Sequence, residues 1–458
     1  MAEARPHLAR ELNSFDATLI VMGGIVGTGI FVNPSVVAAR AHTTPLILTA
    51  WGIGGALALF GGFIFAELAA RRPQVGGLYA YMRDAFHPVV AFGYGWTALL
   101  VSQSGGMALA ALTFALYFNP LGPWHVPAIF SAVAILAIFS LINCFGVREG
   151  GVTQNLFMLL KIVVIVALIV AGVLVAPIST HGPVPSMSAT GLGLLAMLGT
   201  ALIPVLYAYD GWQTASFMSG ELKDPRRTLS RGLVFGVLGV VALYMAVTIV
   251  CLRVLGPANL AVSSAPARDI MHLAGPFWEA LIAIGVGLST LGFLSNQILT
   301  SPRIYYAMAE DGDFFASLAW LHPKTSAPVV AIAVQGAVAI VITLVATAFE
   351  ALLAGYQSIL NGVTAIDFFF FVLAAAAVFV FRGRDRSAGT TGAEIEVPGH
   401  PYTTALFAVV CSAVVIYTAY AYPTDTLPAV AVLISGIPAF YIWRAFKAAR
   451  PAATERAG

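Results

Sequence analysis

Twelve stretches of about 20 or more apolar residues, the length a helix needs to cross a bilayer, divide this 458-residue chain. They lie near residues 17–39, 45–70, 86–117, 124–145, 153–176, 192–219, 230–252, 276–308, 328–350, 356–381, 402–421 and 427–446, and are numbered spans 1 to 12 below. In hydrocarbon, each unpaired backbone group costs several kcal/mol, so only helices and closed barrels can cross. The runs are continuously apolar and do not alternate over about ten residues, which excludes a barrel. Charged residues make up only 10% of the chain, against roughly 25% in a soluble protein. An all-α polytopic membrane protein with twelve transmembrane helices is expected, spread over a single domain, 1–458. No loop exceeds about 20 residues, so a separate soluble domain has nowhere to fold. The longest, 382–401, is expected to be a cytoplasmic connector. The polar first fifteen residues precede a full-length span, not a cleavable signal.

The charges orient the chain. Of the 23 Lys and Arg, 19 fall on the side that carries both termini, and three (Arg40, Arg253 and Arg268) fall on the other. The excess of cations on one side places both termini in the cytoplasm and implies a multi-pass protein of the cell inner membrane. The one remaining cation, Lys161, lies inside span 5. A net charge of +2 without a basic cluster gives no footprint for nucleic acid. Cys144, Cys251 and Cys411 sit singly in or beside apolar runs, with neither disulfide nor zinc spacing. No cofactor is expected.

Two spans carry helix-breaking residues at mid-bilayer depth. Span 1 reads Met22-Gly23-Gly24-Ile25-Val26-Gly27-Thr28-Gly29, and span 6 holds Pro204, then Tyr207-Ala208-Tyr209-Asp210-Gly211-Trp212-Gln213. Bare backbone persists at that depth only around a protected or watered cavity. Close helix packing is the competing account of Gly23 and Gly24. Spans 1 and 6 each open a five-span half, 17–176 and 192–381, and run in opposite directions; 402–446 adds two further helices. Interrupted segments at matching places in two halves point to an inverted-repeat transporter. Half-helix amino ends offer N–H groups to an anion, and carboxyl ends offer carbonyls to a cation. A zwitterion fits such a pair of breaks. Its carboxylate is expected on Gly27, Thr28 and Gly29, and its ammonium on carbonyls near Ile25, Tyr207 and Ala208, with Val26 a further substrate-binding candidate.

These motifs, with Ala66-Glu67-Leu68, Pro73, Gly76-Gly77-Leu78-Tyr79-Ala80-Tyr81, Lys161 and Gly220-Glu221-Leu222-Lys223-Asp224-Pro225-Arg226-Arg227, carry a resemblance. The chain resembles the amino acid-polyamine-organocation transporters over essentially its whole length, especially the Na⁺-independent branch with the L-type amino acid transporters. The resemblance implies a five-plus-five inverted repeat of the leucine-transporter type with two extra helices, moving L-amino acids by alternating access. It also implies that the Lys161 ammonium occupies the place of sodium in Na⁺-coupled relatives, between span 1 and span 8, with Ser289 and Thr290 nearby. Tyr207 matches an outer gating aromatic that is usually phenylalanine in the L-type branch. Asp367 would flank the side-chain pocket.

Other accounts of these residues stay open. Lys161 lies about 12 Å from the cytoplasmic end of span 5 at 1.5 Å per residue, and a lysine can snorkel roughly half that way. A role in proton coupling is open too. Asp210 is a substrate-binding candidate, for the ammonium, and with Gln213 three residues on it also has capping-box spacing, which suits the start of a second half-helix; the two roles can coexist. Asp367 is an acid within the membrane, either paired or protonated. Ser102, Gln103, Ser104, Ser289, Thr290, Asn296 and Gln297 suit interhelical hydrogen bonds, with Ser104, Ser289 and Thr290 the pocket liners.

The expected function is Na⁺-independent secondary transport of an L-amino acid, neutral in the first instance, by exchange or proton symport. Cationic amino acids or polyamines are the alternative cargo. A membrane-embedded hydrolase would need a Gly-x-Gly-Asp, His-Glu-x-x-His or Gly-x-Ser-x-Gly motif, none of which is present. An ion channel would need a repeated filter loop or charged ring. The partners expected are the amino acid, the bilayer and in one version protons. The candidate outer loops lack a cysteine for linkage to an accessory chain, so no obligatory subunit is expected.

Overall fold

A computed structural model gives the fold, and the structure describes residues 10–27, 29–119, 126–177, 192–263, 265–349, 352–389, 393 and 395–449. Among these, nine helices are long and apolar enough to cross a bilayer. A tenth crossing is span 1, in which helices Ser14–Ile25 (1a) and Gly29–Ala41 (1b) meet at a 46° bend. Two shorter apolar helices, Ala128–Cys144 and Val329–Val345, stand where spans 4 and 9 are expected. The rest of the described residues hold two short α-helices, Leu78–Ala85 and Pro266–Ala274, turns, short 3₁₀ and π segments, and one parallel bridge between Leu12 and Leu222. That bridge ties the amino-terminal arm to the end of span 6, through Leu12 N–H to the Glu221 carbonyl and Lys223 N–H to the Leu12 carbonyl, both 3.0 Å.

Span 5 (Val147–Leu174) illustrates how the bundle sorts its faces. Val152, Leu156, Leu159, Val163, Val166 and Val170, three and four residues apart, form an exposed apolar stripe suited to lipid. Gln154, Met158, Lys161, Ile165 and Leu168 make the opposite, fully buried face. Lys161 therefore faces protein, and it does not snorkel.

Span 1a starts earlier than the apolar run suggests, at a capping box. Asn13 Oδ1 accepts from the N–H groups of Phe15 (2.8 Å) and Asp16 (3.2 Å), and Asp16 Oδ2 accepts from Asn13 N–H at 2.9 Å. The helix stops at Ile25, and Val26 and Gly27 leave helical geometry. Span 6 runs as helix 6a, Leu192–Tyr209, straight through Pro204. A proline deprives the carbonyl four residues earlier of its donor; here that carbonyl is Thr200's, and Arg40 of span 1b donates to it at 2.8 Å. The break comes instead at Asp210 and Gly211. Beyond it, Trp212–Glu221 (6b) is a 3₁₀ helix. Thr214, Ser216 and Ser219 donate their hydroxyls to carbonyls three residues back, at 2.9, 2.6 and 2.7 Å, a local competition that suits the tighter winding.

The end of the bundle that carries the amino-terminal arm is laced by ion pairs. Fully buried Glu67 of span 2 accepts from Arg382 at 2.8 and 2.7 Å, from Arg71 at 2.9 Å and from Val397 N–H at 2.7 Å. Arg71 also meets Asp385 and Glu396, so the 382–401 connector is strapped back onto span 2. Glu221 at the end of 6b pairs with Arg303 at 3.0 Å, both side chains 1% exposed.

Candidate substrate site

The two breaks touch each other. Gly211 has φ 122°, and a Cβ there would lie 2.1 Å from the Gly24 carbonyl oxygen. A Cβ on Gly24 would lie 2.6 Å from the Gly211 carbonyl. Only hydrogen fits between these backbones, so Gly24 serves helix contact and the break at once. Behind the break, Tyr209 packs against Trp51 and Tyr244 with ring centroids 5.6 and 5.2 Å apart. The Tyr244 hydroxyl donates to the Ile25 carbonyl at 3.2 Å, and Gly27 N–H donates to the same carbonyl at 2.9 Å.

Lys161 bridges the break of span 1 to span 8. Its ammonium donates to the Val26 carbonyl and lies 3.5 Å from that of Gly23. Its side chain lies over Gly292 of span 8, where a methyl group would come 2.5 Å from Lys161 Cε. Next to it, Ser289 Oγ donates to the Gly27 carbonyl at 3.1 Å. Two carbonyls released by the break are thus held by a lysine and a serine of neighbouring spans. Thr290 turns its hydroxyl to Gly287 of its own helix, at 2.6 Å.

On the other side of the break lies a cavity of about 90 Å³. Roughly 10–15 Å³ of such space holds one water, so this volume takes a handful of water-sized groups, the scale of a small amino acid. Ile25, Gly27, Gly29, Tyr207, Ala208, Asp210, Thr290 and Asp367 all border it, as the sequence suggests. Gly29 opens helix 1b, whose first N–H groups have no partners within the helix. Thr28 lies outside the described residues.

Three of the candidates lie off this cavity. Val26 does not reach the cavity; its carbonyl is taken by Lys161. Ser289 spends its hydroxyl on Gly27, at the back of the break. Ser104 is buried and off the cavity; Ser102, Gly106, Leu109, Ala110 and Thr113 line it from span 3. These residues, three and four apart, form one face of the helix, and Ser104 lies on the opposite face. At the start of 6b the formal cap position is Gly211, and the Asp210 carboxyl beside it meets the Gly211 backbone and the Gln213 side chain, with its Oδ1 buried. The contacts of Gln213, Phe293, Gln297 and Val363 with the cavity join helices far apart in sequence, and no local pattern announces them.

A second cavity of about 280 Å³ is bordered by Asn33, Arg40, Pro204, Asn361 and Tyr422, among others. Both cavities share Gly29 and Tyr207, so Tyr207 stands between them.

A helical membrane bundle whose two interrupted spans meet at a small, polar-lined central cavity is the architecture of a carrier for a small polar solute. The chain belongs to the amino acid permease family, whose sequence model matches residues 12–440. It is 28% identical to the serine/threonine exchanger SteT of Bacillus subtilis over 445 residues, 95% of this chain and 97% of the relative. It is 29% identical to the mouse b(0,+)-type amino acid transporter 1 over 347 residues, 73% of this chain and 70% of the relative. With the human large neutral amino acids transporter small subunit 2 it shares 24% identity over 451 residues, 95% of this chain and 80% of the relative. The protein is an amino acid transporter of the membrane, not an enzyme.

Proposed function

We propose that this chain is a Na⁺-independent exchanger of small neutral L-amino acids in the cell inner membrane, with both termini cytoplasmic and no obligatory protein subunit. The two inverted halves, 17–176 and 192–381, rock about the central cavity. The substrate carboxylate sits on the free N–H groups at the amino end of helix 1b, where Gly29 opens the helix, since Gly27 N–H is held by the Ile25 carbonyl. Its ammonium lies toward the carboxyl end of 6a and the cavity wall at Ile25. The single observation carrying sodium independence is the Lys161 ammonium on the Val26 carbonyl. A tethered cation there stabilises the broken carbonyl end of 1a as a bound metal ion would, with no ion to be carried along. Cavity size favours a small side chain, and similarity to a serine/threonine exchanger agrees with it. The cavity beyond Tyr207 is the outer approach, and the ion pairs of Glu67 and Glu221 close the cytoplasmic end.

Counterflow in proteoliposomes that contain only this chain is the test. With L-serine inside and labelled L-serine outside, replacing all sodium by choline is expected to change the initial rate less than twofold. Strict dependence on sodium contradicts the role given to Lys161, and uptake that needs an added subunit contradicts the stand-alone permease.

A further inference from the structure

We propose that Asp210 and Asp367 hold one proton between them across the substrate cavity, and that this proton decides whether a neutral or an ammonium-bearing side chain is accepted. The inference rests on the amino acid site described above. Asp210 enters from the break of span 6 and Asp367 from the middle of span 10; both border the cavity, and their carboxyls act on each other electrostatically. Asp367 is 7% exposed, and Asp210 Oδ1 is buried. Two more polar side chains, 2% and 4% exposed, stand with the acids on this wall: Ser102 against Asp367, and Gln213 against Asp210. A wall rich in oxygen acceptors is suited to a ligand that brings donors.

None of the residues bordering the cavity is a lysine, arginine or histidine. Lys161 turns its ammonium away, to the carbonyls on the far side of span 1. Among the described residues, the other titratable groups around the pair include Tyr207 on the cavity wall, Tyr209 next to Asp210, Tyr94 from span 3, Tyr305 from the extension of span 8, and Cys411 from span 11. At ordinary values these carry no charge below about pH 7.5. Two carboxylates facing one desolvated space cannot both ionise cheaply, and a shared proton is the usual solution. With that proton in place, a small neutral side chain fits without adding charge. An ammonium-bearing side chain takes the proton's place, the proton leaves to water in the outer cavity, and the net charge of the occupied site is the same in both cases.

Binding of L-serine and of L-2,4-diaminobutyrate to the purified full-length chain in nanodiscs, from pH 5 to 7.5, tests this. The diaminobutyrate side chain stays cationic over that range. Its affinity relative to L-serine is expected to rise at least tenfold from the lower to the higher pH, and to change less than twofold in Asp367→Asn. Using the ratio cancels any titration of Lys161, which acts on the shared amino acid end. Asp367→Glu, which keeps a second carboxyl, is expected to retain the rise, so the idea stays testable even where the asparagine variant fails to fold. A flat ratio in the wild type, an unchanged slope in Asp367→Asn, or no diaminobutyrate binding at any pH overturns the shared proton. Should neither amino acid bind at any pH, the amino acid site itself is wrong.

Discussion

Replacing Lys161 with alanine is expected to slow exchange by at least about 30-fold while lowering the folded yield far less. Losing a hydrogen bond from a charged donor costs about 1.5–3 kcal/mol, and roughly 2 kcal/mol corresponds to that factor. The loss falls on the substrate site because the released group is the Val26 carbonyl, one residue from Gly27 and Ile25 on the cavity wall. Lys161→Arg should recover little. Gly292 leaves no spare room beside the lysine stem, and a planar fork cannot present one point charge to Val26 and Gly23 together. Initial counterflow rates beside monodisperse yield from size-exclusion chromatography make the comparison. Wild-type rates in Lys161→Ala would reduce this lysine to a packing residue.

Arg303→Leu should act on stability more than on the substrate site. The guanidinium meets Glu221 through Nε at 3.0 Å and lies, with its partner, wholly out of solvent. It also bonds the Leu299 carbonyl, so its removal leaves a buried carboxylate and a carbonyl without their donor. Breaking one side of such a buried pair costs about 3–5 kcal/mol, whereas replacing both partners by apolar groups is often neutral. Thermal unfolding in detergent should therefore place Arg303→Leu well below the wild type, and Arg303→Leu with Glu221→Leu much closer to it. A double variant no better than the single one would mean that the pair is not what holds 6b to the segment after span 8. Because this contact seals the cytoplasmic end in the proposed orientation, the double variant should also leak substrate inward faster.

Residues that break rules locally were readable from the sequence alone. Glycine in the middle of span 1 and Asp-Gly in span 6 conflict with continuous helix in lipid, and both breaks lie at those places. Lys161 conflicts with an apolar run, and it is the residue that joins the break to span 8. Pro204 breaks the same rule without breaking the helix, because the carbonyl it frees is met by Arg40 from another span. That compensation lies 160 residues away and has no local trace. The same holds for Tyr244 on Ile25, for Val397 on Glu67, and for the meeting of Asp210 with Asp367. Residue type alone does not say which face of span 3 meets the cavity: Ser102, Gly106, Leu109 and Thr113, three and four residues apart, line it, and Ser104 lies on the opposite face.

The central claim is that the two breaks grip both charged ends of one amino acid, and affinity for trimmed ligands measures it most directly. Binding of L-serine to the full-length chain in nanodiscs should be compared with that of L-serinamide, which lacks the carboxylate, and N-acetyl-L-serine, which lacks the ammonium. Each lost end removes charge-assisted hydrogen bonds worth about 1.5–3 kcal/mol apiece, so each analogue is expected to bind at least about 100-fold more weakly. Either analogue binding within threefold of L-serine would contradict the account.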